Sequence, residues 1–205
     1  MSYISHIELN DKHIPPPTSE IEKERRVALY DLLEENKFEV PSVSGPYHLI
    51  LSIKDGNKVL WCGNGGSAAD SQHMSKELMG GLRDHDRPPI PSISLTTDSS
   101  FLTAWSNDTD FESVFSRQVQ GLGKKGDVLV GISTSGNSKN VISALKQAKF
   151  KGLKTVVFTG KLGGMMKNLA DTTIYVPSED TQRVQEGHIM IGQIICGLIE
   201  DDFLS

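Results

Sequence analysis

Val128-Leu129-Val130-Gly131-Ile132-Ser133-Thr134-Ser135-Gly136-Asn137-Ser138 is the stretch on which the reading of this chain turns. A short apolar run, of a length suited to one buried strand, ends in a loop of hydroxyls with one glycine, and helical spacing resumes after Ser138. Four similar runs accompany it. Val59-Leu60-Trp61-Cys62 leads into Gly63-Asn64-Gly65-Gly66-Ser67, and Ile93-Ser94-Leu95 follows. Thr155-Val156-Val157-Phe158 leads into Thr159-Gly160, and Thr173-Ile174-Tyr175-Val176 comes last. Helical patterns lie near 67–80, 109–121, 138–151, 163–170 and 181–203. Buried strands alternating with helices predict an α/β fold, a doubly wound parallel five-stranded sheet flanked by helices. Ligands of such sheets bind at the carboxyl ends of the strands, where both Gly/Ser-rich loops sit.

Residues 1–56 read differently and are expected to form an N-terminal appendage to a domain over 57–205. Pro15-Pro16-Pro17 is stiff and excludes helix and central strand. Ser19 and Glu22 make a capping box. Ile21, Ala28, Leu29, Leu32 and Leu33 then recur at helical spacing, interrupted by Arg25, which predicts one helix near 20–36. Residues 47–55 suit a short helix by length and a strand by the alternation of Leu49, Leu51 and Ile53, and pattern leaves both open.

Composition narrows the function. Lys and Arg total 21 against 26 Asp and Glu, a net charge of −5, so a general basic surface for nucleic acid is not expected. No apolar run reaches the roughly 18 residues of a membrane span. Met1 to Lys12 has no apolar signal core, so export is not expected. The two cysteines, Cys62 and Cys196, fall in apolar runs and read as buried, inert thiols in a cytoplasmic protein.

The loop from Ser133 to Ser138 offers hydroxyls and free N–H groups at a helix N-terminus, an arrangement that suits one phosphate monoester. It has no lysine, which excludes a triphosphate-binding Walker A loop. The plainer alternative is a strand–helix turn with serine as cap. Gly65 and Gly66 permit close approach of a ligand to backbone, without the spacing of a dinucleotide site. His73 and Glu77, four apart on the next helix, share a face and suit one zinc ion or one substrate. On the last helix Gln185 and His188 are neighbours, with Gln193 roughly on the same side. For His188 alone, an outward polar residue or a core histidine bonded to backbone is the better reading.

Taken together, Gly63-Asn64-Gly65-Gly66-Ser67-Ala68-Ala69-Asp70 with His73 and Glu77, Asn107-Asp108, Gly131 to Ser138, Thr159-Gly160 and Arg183-Val184-Gln185-Glu186 resemble the phosphoheptose isomerases of the sugar isomerase (SIS) domain superfamily. The resemblance covers about residues 57–203. It implies an SIS-type sheet and conversion of D-sedoheptulose 7-phosphate to D-glycero-D-manno-heptose 7-phosphate, the first step toward activated heptose. It also implies a cytoplasmic homotetramer with one zinc per active site. By resemblance, Ser133, Thr134, Ser135 and Ser138 hold the phosphate, and Asn64, Gly65, Gly66, Asn107, Asp108 and Gln185 line the sugar. Glu77 is then the base, and His73, Glu77 and Gln185 are zinc ligands. The family's fourth ligand and second acid/base, a histidine, is Gln193 here, a poorer ligand that cannot shuttle a proton near neutral pH. The segment from Glu24-Arg25-Arg26 to Glu34-Glu35-Asn36, then Gly45-Pro46-Tyr47, resembles a small bacterial family of unknown function, which would make the chain a fusion. Two readings stay open beside the enzyme: a non-catalytic SIS protein of the type that binds the replication initiator DnaA, and a sugar-phosphate sensor. Glu77 and Gly65-Gly66 favour the enzyme, and Gln193 favours the binding module.

Overall fold

The computed structural model describes residues 44–203. The capping box and the helix expected near 20–36 lie outside the described residues. The strands are β1 (Val59–Gly63), β2 (Ser92–Ser94), β3 (Val128–Ser133), β4 (Lys154–Gly160) and β5 (Thr172–Val176). They form one sheet in the order β2-β1-β3-β4-β5, with every pairing parallel. The helices are α1 (Ser44–Lys54), α2 (Gly66–Gly80), α3 (Ser99–Asp108), α4 (Val114–Leu122), α5 (Lys139–Lys151) and α6 (Thr181–Phe203).

Strand alternation splits the core in two. Val59, Trp61, Val130, Ile132 and Phe158 face α1, α2 and α6, where Leu49, Met74, Leu78 and Ile195 meet them. Leu60, Cys62, Leu129 and Val157 face α4 and α5, against Phe115, Val119, Val141 and Leu145. Burial on both faces is why the strands read as continuous apolar runs. Both cysteines are free and buried, and burial pushes the Cys62 thiol up to about 12.

Residues 44–54 resolve the ambiguous segment as helix, and Leu49 and Ile53 join the core ahead of the boundary expected at 56 and 57. Two expected helices are revised. The helix expected near 109–121 begins later, as α4 at Val114, because the Asp110 carboxylate accepts from Ser113 N–H and holds the chain in a turn before it; ahead of it stands a helix the pattern did not show, α3, begun where the Asp98 carboxylate accepts from Phe101 N–H. The helix expected near 163–170 shrinks to a 3₁₀ turn at Met166–Asn168. Gly163 and Gly164 at φ +72° and +53° hold the chain off the right-handed helix there.

Candidate active site

Strand order reverses between β1 and β3, so the crevice at their carboxyl ends is the natural ligand site of this sheet. The loops after those two strands are the two singled out by sequence. In the second, Ser133 Oγ lies 2.8 Å from Ser138 Oγ and 3.4 Å from Ser135 Oγ, so three hydroxyls converge. Ser138 precedes α5 but makes no side-chain cap bond to it. Its hydroxyl turns into the loop instead, unlike the plain capping turn. Asn137 folds the loop, accepting from Met165 N–H and donating to Ser135 O. A cavity of about 310 Å³ opens beside it, lined by Thr134, Ser135, Asn137, Gly160, Lys161 and Thr181. Lys161 brings a positive charge that the sequence reading, confined to the loop itself, did not count.

In the first loop Gly65 takes φ +54°, and a side chain at Gly66 would come within 2.9 Å of Gln185 Oε1. Gly66 therefore lets α6 approach the start of α2, while Gly65 supplies the left-handed turn before it. Gln185 Nε2 donates to the Asp70 carboxylate, and its Oε1 accepts from Ser67 Oγ at 3.3 Å. Burial raises Asp70 to about 6, against the opposing pull of Gln185 and His73.

One turn along α2 the reactive groups meet. His73 Nε2 is 2.8 Å from Glu77 Oε1, and Gln193 Nε2 is 3.0 Å from His73 Nε2 and 3.4 Å from Glu77 Oε1. Lys76 Nζ donates to Glu77 Oε2 at 2.9 Å. Glu77 is 5 % exposed and His73 sits at the open rim. Burial alone would raise the Glu77 pKa, but the bonds from Lys76, Gln193 and His73 outweigh it and hold the carboxyl below its usual range. Glu77 is therefore ionised at neutral pH.

Thus His73, Glu77 and Gln193 are brought together, while Gln185 is turned toward Asp70 and Ser67. Asn107 and Asp108 close α3 on an exposed edge, where Asn107 Nδ2 donates to Asp108 Oδ1. His188 is a core residue, the second of its two readings, and not an outward polar one. It is buried against Phe158, and burial lowers it to about 4, so the ring is neutral. Arg87 was missed: it donates to the carbonyls of Glu77 and Leu78 at the end of α2. So was Asn140, whose carboxamide bonds Asn64 in the first loop.

A sheet of this order with loops suited to an anion at its reversal defines a doubly wound ligand-binding domain, and the SIS domain family model matches residues 46–160, which makes it an SIS domain protein. The chain belongs to the phosphoheptose isomerase family. It is 54% identical over 151 residues to the phosphoheptose isomerase of Burkholderia pseudomallei, covering 74% of this chain and 76% of that one. With the phosphoheptose isomerase of Nitratiruptor it shares 51% over 170 residues, 83% and 89% of the two chains. The phosphoheptose isomerase structure from Neisseria gonorrhoeae superposes with TM-score 0.74 at 39% identity, covering 87% of this chain and 92% of that one. A second family model, Uncharacterised protein family (UPF0262), matches residues 1–80.

Proposed function

We infer that this chain is a sugar-phosphate aldose–ketose isomerase acting on D-sedoheptulose 7-phosphate to give D-glycero-D-manno-heptose 7-phosphate. The observation that carries the reading is the ionised, buried Glu77 about three turns along the helix that follows the glycine loop, in a sheet whose other loop at the same reversal gathers three serine hydroxyls. Aldose–ketose isomerisation moves a proton between adjacent carbons, which needs a carboxylate aimed at the carbon-bound hydrogen. The serine loop and the N-terminus of α5 take the phosphate. The sugar carbons then run toward Gly65, Gly66 and Glu77, with Asn107 and Asp108 as further sugar contacts. Glu77 takes the proton from one carbon and returns it to the next, while its bonds to Lys76 and His73 hold it ionised. The relatives' names favour this reading over the binding module and the sensor. Incubating the protein with sedoheptulose 7-phosphate and following the aldose product by NMR tests it; a chain that leaves the ketose unchanged would reject it.

The residues fit a zinc ion. His73 Nε2 and Glu77 Oε1 are strong donors on one face, and Gln193, whose Nε2 reaches both, would offer its Oε1 to the ion by rotating its amide. Among the described residues no group of three or more His, Cys, Asp and Glu converges, so the set rests on amides beyond those two. His73, Glu77 and Gln193 would hold the metal, and Gln185 would join by turning from Asp70. Bound zinc supplies a Lewis acid for the substrate oxygens. Gln193→His replaces a weak amide donor by imidazole, and zinc affinity measured by calorimetry is expected to rise at least about tenfold. Equal affinity in the two proteins would show that Gln193 only fills space.

Phosphate binding has its own test. Ser135→Ala removes one hydroxyl bond to a charged group, about 1.5–3 kcal/mol. Affinity for the sugar phosphate is then expected to fall by roughly tenfold or more with the fold intact. Unchanged affinity would take this loop out of the site. The reading also includes a homotetramer in the cytoplasm. The match of residues 1–80 to a separate family supports a distinct origin for the segment before residue 57. Among the described residues no helix is long and apolar enough to cross a membrane.

A further inference from the structure

The two loops at the sheet reversal come from strands 69 residues apart in register, Val59 opposite Val128, yet one side-chain pair ties them together. Asn64 Nδ2 donates to Asn140 Oδ1 at 2.9 Å, and Asn140 Nδ2 donates to Asn64 Oδ1 at 2.8 Å. Asn140 Oδ1 also accepts from Val141 N–H at 3.0 Å, so both of its lone pairs are used. Asn140 is 3 % exposed, at the second position of α5 and two residues past Ser138. A buried asparagine there is unfavourable for helix and for burial unless its amide is paired, as it is here. Asn64 is joined to the glycine loop by backbone. Its carbonyl accepts from Ser67 N–H at 2.9 Å, and the Gly65 carbonyl accepts from Ala68 N–H at 3.1 Å.

We propose that Asn140 is a positioning residue for the isomerase: its reciprocal amide pair with Asn64 fixes the glycine loop, and with it the start of the helix that carries Glu77, against the phosphate-binding loop. The proposal rests on the isomerase reading. Phosphate fixes one end of the substrate, and Glu77 acts on the other. The distance between the two loops therefore sets where the reacting carbons lie relative to the carboxylate, and small misplacement of a reacting atom lowers turnover. The pair engages one donor and one acceptor of the Asn64 carboxamide and leaves one of each for a ligand.

The test uses the full chain and the variants Asn140→Ala, Asn64→Ala and the double substitution. In Asn140→Ala, kcat on sedoheptulose 7-phosphate is expected to fall about tenfold, the scale of one or two hydrogen bonds. The inhibition constant of inorganic phosphate is expected to stay within about twofold of wild type, because the serine loop is intact. The double variant should be no slower than the worse single one, since both remove the same interaction. Without any ligand, amide hydrogen exchange at Ser67 and Ala68 should quicken about tenfold while Val130 in β3 is unchanged. Wild-type kcat in Asn140→Ala, single effects that multiply in the double variant, or a phosphate constant that weakens in step with kcat would each overturn the proposal. A wild-type chain that leaves the heptulose phosphate unchanged would instead reject the isomerase reading, and the exchange rates at Ser67 and Ala68 would still decide the lock.

Discussion

Glu77→Gln is expected to lower isomerase turnover by about 10²–10⁴ while substrate binding stays near the wild-type value. The substitution keeps the shape of the side chain and an oxygen for His73 and Gln193 to meet. It removes the carboxylate of the cluster and leaves the His73 imidazole as its other base. His73 Nε2 lies 2.8 Å from Glu77 Oε1 on the same helix face, so the residual rate of the variant reads what that imidazole supplies. The depressed pKa of Glu77 bears on the result. Burial opposes ionisation, yet the neighbouring donors win, so the wild-type base is charged throughout the neutral range and the variant is not. Turnover in deuterated water separates the role from mere positioning. The wild type should wash solvent deuterium into the substrate's transferred position, and the variant should do so at least about 10²-fold more slowly. A Glu77→Gln protein that exchanges that hydrogen at the wild-type rate would remove Glu77 from the chemistry.

The parts of the fold visible in the sequence are those where burial leaves a composition signal. β1, β3 and β4 are covered on both faces, so Val59-Leu60-Trp61-Cys62 and its counterparts stand out without alternation. The two ligand loops stand out for the opposite reason, since glycine and hydroxyls interrupt those runs abruptly. α3 was missed because no residue in Ser99–Asp108 is fully buried, which leaves no apolar stripe to detect. The helix expected near 163–170 failed at Gly163 and Gly164, whose left-handed backbone cancels an otherwise helical pattern. In the site, spacing along one helix was enough to pair His73 with Glu77, because the geometry is local. The orientation of Gln185 was not legible, since it depends on Asp70 and Ser67 across a helix–helix contact. Asn140 and Arg87 looked like ordinary helix and loop residues, because their partners lie 76 and 113 residues away in sequence.

That last separation leads to the largest expected effect on stability. Glu200, on α6, accepts from the backbone N–H groups of Leu82, Arg83 and Asp84 and from Arg87 Nε, the last at 2.7 Å. Arg87 in turn donates to the carbonyls of Glu77, Leu78 and Pro88, and both ion-pair side chains are 1 % exposed. The carboxylate and the guanidinium thus satisfy a turn of backbone donors and the end of α2 at once, where water cannot serve either. Glu200→Gln leaves a buried guanidinium without its counter-charge and sets an amide N–H₂ against donors. Breaking one partner of such a pair costs about 3–5 kcal/mol, and urea unfolding at neutral pH should show a loss of that size. The pH dependence identifies the cause. Burial would raise the Glu200 pKa, but the bonds from Arg87, Leu82, Arg83 and Asp84 carry it the other way, to about 2 from 4.5. A depressed carboxyl stabilises the fold above the unfolded pKa and loses that contribution as pH falls through the folded one. The wild-type advantage over Glu200→Gln should therefore be complete above about pH 5 and shrink from there toward pH 2. A variant within about 0.5 kcal/mol of wild type at neutral pH, or a difference that does not narrow in acid, would mean that this network does not hold the end of the helix bearing Glu77.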